Sequence, residues 1–230
     1  MFLHLSVRVA LVLFLALRVS AWGDPVPKGF LVPEDSLSPD GRYGVTVPIL
    51  DEAPDTDATH NSVIEMKTGK ILGAIRASTG WNRMNHGGVL PAQWSPDGSL
   101  LLWTVDGKWF FHSLVLLKME KGRIAWQTDV LKAGQQAILA RTKKAAPAKY
   151  AAAKKANAGN GSAYPEGFSV DVVTKGDLAF PLHVDVSLTS NPKDIPDEPT
   201  LESNLQGLVN ERGEFVVTAF HLGRGHTERF

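Results

Sequence analysis

Two short stretches of this chain carry side chains whose types and spacing suit chemistry. The first runs from Asp51 to His60 and contains Asp51, Glu52, Asp55, Asp57 and His60. Carboxylate oxygens gathered on one loop suit a hard cation, so Asp51, Asp55, Asp57 and His60 are candidate ligands for a divalent ion such as calcium. Their spacing fits no defined calcium loop, and a solvated surface loop is the plainer reading. The second stretch reads Gly80-Trp81-Asn82-Arg83-Met84-Asn85-His86-Gly87-Gly88. Trp81 offers a stacking face, Arg83 an anion contact, and Asn85 and His86 hydrogen bonds, so these four are the candidate ligand-binding residues. The competing account packs Trp81 on a neighbouring sheet and gives Gly87-Gly88 only a turn to make. His183 and Asp185 stand two apart, on one face of a strand, where they can share a metal or a proton or simply form a surface ion contact.

Several kinds of chemistry lack their sequence marks. There is no His-Glu-x-x-His zinc motif, no phosphate-cradling Gly-x-x-x-x-Gly-Lys and no Gly-x-Ser-x-Gly elbow. The chain has no cysteine to act as nucleophile, ligand or lipid carrier. No catalytic residue is assigned, and apart from the candidate cation no cofactor is expected.

The elements that must hold these loops announce themselves by a repeat. Ser38-Pro39-Asp40-Gly41 recurs as Ser95-Pro96-Asp97-Gly98. Proline presets φ for a turn, aspartate bonds the backbone ahead of it, and glycine takes positive φ without strain. Each copy precedes a strand-like run, Arg42–Val47 and Ser99–Val105, and each is followed by a second turn, Lys67–Lys70 and Glu120–Arg123. Two features recurring in one order at nearly one period imply a duplicated unit of four short strands joined by tight turns. In the second unit the strands are expected at Val89–Trp94, Ser99–Val105, Trp109–Leu117 and Arg123–Gln127. The stretch Pro91-Ala92-Gln93-Trp94-Ser95-Pro96-Asp97-Gly98-Ser99-Leu100-Leu101-Leu102-Trp103 resembles the repeat of TolB-like β-propellers, over roughly residues 28–128. The resemblance implies that this segment is the first strand, turn and second strand of a propeller blade. Asn210–Gly213 and Pro165–Gly167 read as weaker copies of the turn.

A different segment follows. From Val130 to Asn160 seven basic residues occur without an acid, among them Lys143, Lys144, Lys149, Lys154 and Lys155. Alanine and lysine are strong helix formers. Thr128 or Asp129 can cap the start, Pro147 should break or kink the helix, and the run from Asn157 to Gly161 should end it. Residues 129–161 are therefore expected as a helical or mobile insertion. Its charges suit an anionic polymer, or a solvated helix facing the acidic stretch near Asp194, Asp197, Glu198 and Glu202. Phe168–Val173 and Phe180–Leu188 alternate as strands do.

The fold class expected is mainly β. It comprises antiparallel, four-stranded, propeller-like units with an Ala/Lys-rich helical insertion, the alternative being an open antiparallel sheet or β-sandwich of α+β type. A meander places the loop after its second strand and the connection leaving its fourth at one end. The Asp51–His60 and Arg76–Gly88 segments should share that end, and the helical insertion should start from it.

The N-terminus reads as an export signal. Arg8 is followed by the apolar run Val9–Leu17 and by the small residues Val19-Ser20-Ala21, an order that predicts cleavage before Trp22. Residues 22–230 then form one β-rich domain. Arg18 cuts the apolar run too short to span a bilayer, and no later segment is long enough. The formal charge is balanced, 24 basic against 24 acidic residues, so neither nucleic acid nor anionic lipid is an expected whole-surface partner. These observations point to a secreted or periplasmic, non-enzymatic binding or scaffold protein with a protein partner. The alternative is a hydrolase or carbohydrate-active protein with its site in the 51–60 and 80–88 loops.

Overall fold

The computed structural model describes residues 26–49, 60–76, 78, 87–108, 110–161, 163–191 and 201–223. The expected export signal lies outside them. The chain builds three antiparallel sheets in succession. The first contains β1 (Phe30–Leu31), β2 (Tyr43–Pro48), β3 (Ser62–Glu65) and β4 (Lys70–Ala74), side by side in chain order. In the second, β5 (Gly88–Val89) and β6 (Gln93–Trp94) both pair with β7 (Leu100–Asp106), followed by β8 (Ser113–Glu120) and β9 (Arg123–Asp129). The expected single strand Val89–Trp94 is thus split around Pro91, which has no N–H to give to a ladder.

The two proline–aspartate–glycine corners have the same hydrogen bonds. The Ser38 amide donates to the Tyr43 carbonyl at 2.9 Å, and the Ser95 amide to that of Leu100 at 3.0 Å. Each serine hydroxyl donates to the aspartate two residues on, at 2.8 Å in the first corner and 2.6 Å in the second. Each hydroxyl also accepts from the first residue of the following strand, Tyr43 or Leu100. Gly41 and Gly98 both sit at φ +68°, where a side chain would be strained. The outer strand pairs antiparallel with the second in both sheets, Phe30 opposite Pro48 and Leu31 opposite Val47, Gly88 opposite Asp106 and Val89 opposite Val105, but counted from the corner serines the two registers differ by two residues.

After β9 come two helices, α1 (Val130–Ala145) and α2 (Pro147–Ala156). Asp129 caps α1 by accepting from the Lys132 amide at 2.9 Å. The break falls at Ala146, immediately before Pro147. Tyr150 and Ala153 of α2 are buried, so the second piece is anchored to the core. The third sheet consists of β10 (Ser169–Lys175), β11 (Leu182–Thr189), β12 (Glu202–Val209) and β13 (Phe215–Leu222), again in chain order. α1 lies across it, and Gly134 brings the helix so close that a Cβ there would touch Val172 and Val186 at 3.1 Å.

The four turn sites read from sequence do not mark four equivalent units. Asn210–Gly213 joins the third and fourth strands of the last sheet, not its first and second. It therefore matches the Lys67–Lys70 and Glu120–Arg123 turns in position and not the proline corners. The described sheets remain open.

The layers are set by two cores. Val45, Val47, Val63 and Ile75 of the first sheet and its margin pack with Leu101, Trp103, Val105, Val115 and Leu117 of the second. Leu102, Leu114 and Leu116, on the reverse side of the second sheet, pack with Val130, Ile138 and the inward residues of the third. Asp97 provides a pH-dependent component at the corner. The Ser95 hydroxyl, ahead of the Ser99 amide and hydroxyl, holds its carboxyl at about 2, below its ordinary 3.8. A carboxylate depressed in the fold stabilises above its unfolded pKa and loses that effect as pH falls through the folded value. The stability advantage of the wild type over Asp97→Asn should therefore be full above about pH 5 and shrink as pH is lowered toward about 2. Urea titrations at stepped pH check this.

Candidate functional site

The end opposite the proline corners collects the chain's long connections. The 49–61 segment leaves β2 and enters β3 there, and the 75–87 segment runs there from β4 to β5. The short 107–112 connection between β7 and β8 and the start of α1 emerge at the same end. Antiparallel alternation dictates this grouping, as the strand order predicts.

The roots of the two long loops are tied together by buried polar groups. The Ser78 hydroxyl donates to Asn61 Oδ1 at 2.6 Å and accepts from Trp103 Nε1 at 2.9 Å. The Asn61 carbonyl accepts from the Ile75 amide at 2.8 Å, and its Nδ2 reaches the Thr46 carbonyl at 3.4 Å. Asn61, Ser78 and Trp103 are all 0% exposed. In that setting each bond is expensive to leave unmade, so the network fixes where both loops start. A second tie involves Gly87, at φ +134°, where a Cβ would run into the Asp106 carbonyl. The glycine pair thus allows one backbone to approach another closely, a stricter task than making a turn.

Most residues nominated from sequence, Asp51, Asp55, Asp57, Trp81, Arg83, Asn85 and His86, lie outside the described residues. His60 is described. It is half-buried beside Asn61, and its Nδ1 is shielded from solvent without a hydrogen-bond partner among the described residues. Among those residues no group of three or more His, Cys, Asp or Glu gathers as a metal site. His183 and Asp185 share the outer face of the third sheet, where Asp185 is ion-paired with Lys175 across the β10–β11 ladder. His112 precedes β8, exposed, with its amide on the Val105 carbonyl at 2.8 Å. Trp103 is core as expected, while Trp94 is partly buried against the same core and Trp126 against the core shared by α1 and the third sheet.

A cleft of about 350 Å³ opens at this end between the β7–β8 connection and β10. Phe110, Phe111 and Leu131 give it apolar walls, and Asp106 and Asp171 place carboxylates at its margin. Phe110 is held edge-on to Tyr164, with ring centroids 5.1 Å apart. Apolar walls with acidic margins suit an apolar group that carries a donor or a positive charge. Sequence reading missed these residues because it ran the β8 strand from Trp109, whereas pairing starts at Ser113. The Asp106-Gly107 step was the available signal for a turn there.

No protein-family model matches this chain, and no curated protein matches it. The function must be argued from the geometry.

The lysines of the insertion, Lys143, Lys144, Lys149, Lys154 and Lys155, are exposed along the end of α1 and along α2. Lys154 bonds Glu166 at 2.6 Å and holds that carboxyl below its usual range. Burial, reinforced by Glu166, pushes the neighbouring Tyr150 hydroxyl up. The acidic stretch proposed to face these lysines falls largely outside the described residues. Among the described residues no helix is long and apolar enough to cross a membrane.

The loop-root network makes a direct prediction. Ser78→Ala leaves both Asn61 Oδ1 and Trp103 Nε1 without their shared partner, at a cost of about 1–3 kcal/mol. For a domain of this size that lowers Tm by roughly 2–4 °C per kcal/mol. Combining it with Trp103→Phe should cost clearly less than the sum of the two single changes, because both remove the same bond. Calorimetry on the three variants checks this.

Proposed function

We propose that this chain is an exported, non-enzymatic binding protein that holds a partner protein at its loop end. The observation that carries this reading is the buried Asn61–Ser78–Trp103 tie, which fastens the roots of two long loops together at one sheet end. Binding groups on loops need such a scaffold to keep their relative positions. Trp81, Arg83, Asn85 and His86 lie on one of these loops, and Asp51, Asp55 and Asp57 on the other. Asp106 connects the root of the second loop to the cleft, because its backbone packs on Gly87 and the residue lines the cavity. The same reading takes the first two sheets as copies of one TolB-like blade unit. Its support is the matched set of corner bonds.

Export is the part most simply checked. Expression of the full chain in a bacterium with fractionation should yield a periplasmic product beginning at Trp22. A product retaining Met1 in the cytoplasm would remove the exported assignment. For binding, immobilised wild-type protein should retain a specific protein from the matching extract. The Trp81→Ala/Arg83→Ala double variant should lose it at unchanged Tm, since neither residue belongs to the described core. Turnover of an ester, phosphate or glycoside by the wild type, abolished by His86→Ala or Asp57→Ala, would replace this reading with the hydrolase one.

A further inference from the structure

The third sheet has two edges, and they differ in kind. β10 carries Asp171 and Lys175, and the Phe110–Phe111 connection lies beside it across the cleft. Charge and cover are the usual ways in which a natural sheet blunts an edge. β13 has neither. Its eight residues, Phe-Val-Val-Thr-Ala-Phe-His-Leu, include no Asp, Glu, Lys, Arg, Pro or Gly. Among the described residues it pairs with β12 alone. Among the described residues Val216 and Leu222 are 42% and 41% exposed; Val173 on β10 is more exposed still, at 50%, but stands between the charged Asp171 and Lys175. A long apolar edge of this composition presents unpaired N–H and C=O groups to any strand that can match it.

The strand's own pattern identifies the match. The ladder to β12 shifts register between Gln206 and Gly207, so that Thr218 is the extra residue. On one side of this bulge Phe215 and Val217 lie opposite the core-facing Val209 and Gly207. On the other side Phe220 and Leu222 lie opposite Leu205 and Ser203, which are buried too. Val216, Ala219 and His221 face outward with Leu208, Gln206 and Asn204. In a regular strand two residues seven apart point to opposite faces. The central bulge cancels that, so Phe215 and Leu222 share a face, as do Val216 and His221. The facing pattern of β13 therefore reads the same in both directions from the point between Thr218 and Ala219.

We propose that β13 pairs antiparallel with β13 of a second copy of this chain, about a two-fold axis between Thr218 and Ala219. This joins two four-stranded sheets into one of eight strands. The two-fold sets Phe215 opposite Leu222 and Val217 opposite Phe220 on the helix side, and Val216 opposite His221 on the outer side. Aromatic residues against aliphatic and β-branched ones are favourable cross-strand neighbours. No like charges meet, because the strand has none. An isologous contact of this kind closes on itself and leaves the β10 edges at the two ends of the enlarged sheet, where charge and cover protect them.

Light scattering on chromatographed wild-type protein should give twice the monomer mass, falling to the monomer mass on dilution. Ala219→Lys and Ala219→Glu place two like charges together at the axis, so each alone should be monomeric with an unchanged far-ultraviolet spectrum. An equimolar mixture of the two should regain the dimer mass. A separate test does not depend on the folding of those variants. The chain has no cysteine, so Ala219→Cys introduces a single thiol, and mild oxidation should link it across the axis. Lys175→Cys, on the far edge, should stay unlinked. A wild type that is monomeric at every concentration overturns the proposal. So does a dimer unaffected by both charged variants, equal linking of the two thiols, or open-ended fibres in place of a dimer.

Discussion

The second sheet is covered on both faces, and the rest of the structure follows from that burial. Its central strands β7 and β8 carry side chains alternately to two different cores. Leu101, Trp103 and Val105 point with Val115 and Leu117 into the core shared with the first sheet, while Leu102, Leu114 and Leu116 point into the core shared with α1 and the third sheet. A strand buried on both faces loses the alternation of apolar and polar residues and reads as a continuous apolar run, as Leu100–Trp103 does. Burying Trp103 completely contributes much of the apolar area at this junction, yet its indole N–H must still find an acceptor. Ser78 provides it and binds Asn61 in turn. The requirement to satisfy one buried donor thus extends from the core to the roots of two surface loops, and links the packing of the fold to the geometry of the candidate site.

What could be read from the sequence depended on whether the information was local. The proline–aspartate–glycine corners are self-contained: serine, aspartate and glycine bond within a few residues of one another, so spacing alone announced both copies. The helical insertion was legible from alanine content, the Asp129 cap and Pro147. β12 was not. Two of its inward positions are Ser203 and Gly207, where apolar residues would have marked a strand. Ser203 is there because its hydroxyl shares a 2.6 Å bond with Thr142 of α1, a contact made across the helix–sheet interface. The Asn61–Ser78–Trp103 tie was hidden for the same reason, since its partners are 17 and 25 residues apart and none is unusual in its own neighbourhood.

The three sheets share one topology but reach it with different partners. The first two pack on each other and carry the same corner, so their inward faces must be apolar along both second strands. The third packs on α1 instead, and a helix covers only one face. Its outer face is correspondingly mixed: a polar row of Asp171, Ser187, Asn204 and His221 runs across all four strands in register, while Val173 and Val216 stand exposed beside it. The proline–aspartate–glycine corner accordingly does not recur after Asp129. A sheet covered by a helix does not need the corner geometry that brings two sheets together, and the Asn210–Gly213 turn serves instead as an ordinary hairpin whose Gly213 lies flat on Trp126.

The loop end is also mechanically coupled to the cleft, and the coupling needs no moving part. Gly88 pairs with Asp106, and Gly87 lies against the Asp106 carbonyl so closely that no side chain fits between them. A displacement of the 75–87 segment at its root therefore pushes on the backbone of a cleft residue. Close-packed contacts transmit such shifts instead of absorbing them. The root of the 75–87 segment and the wall of the cleft therefore belong to one packed surface, joined where Gly87 meets Asp106.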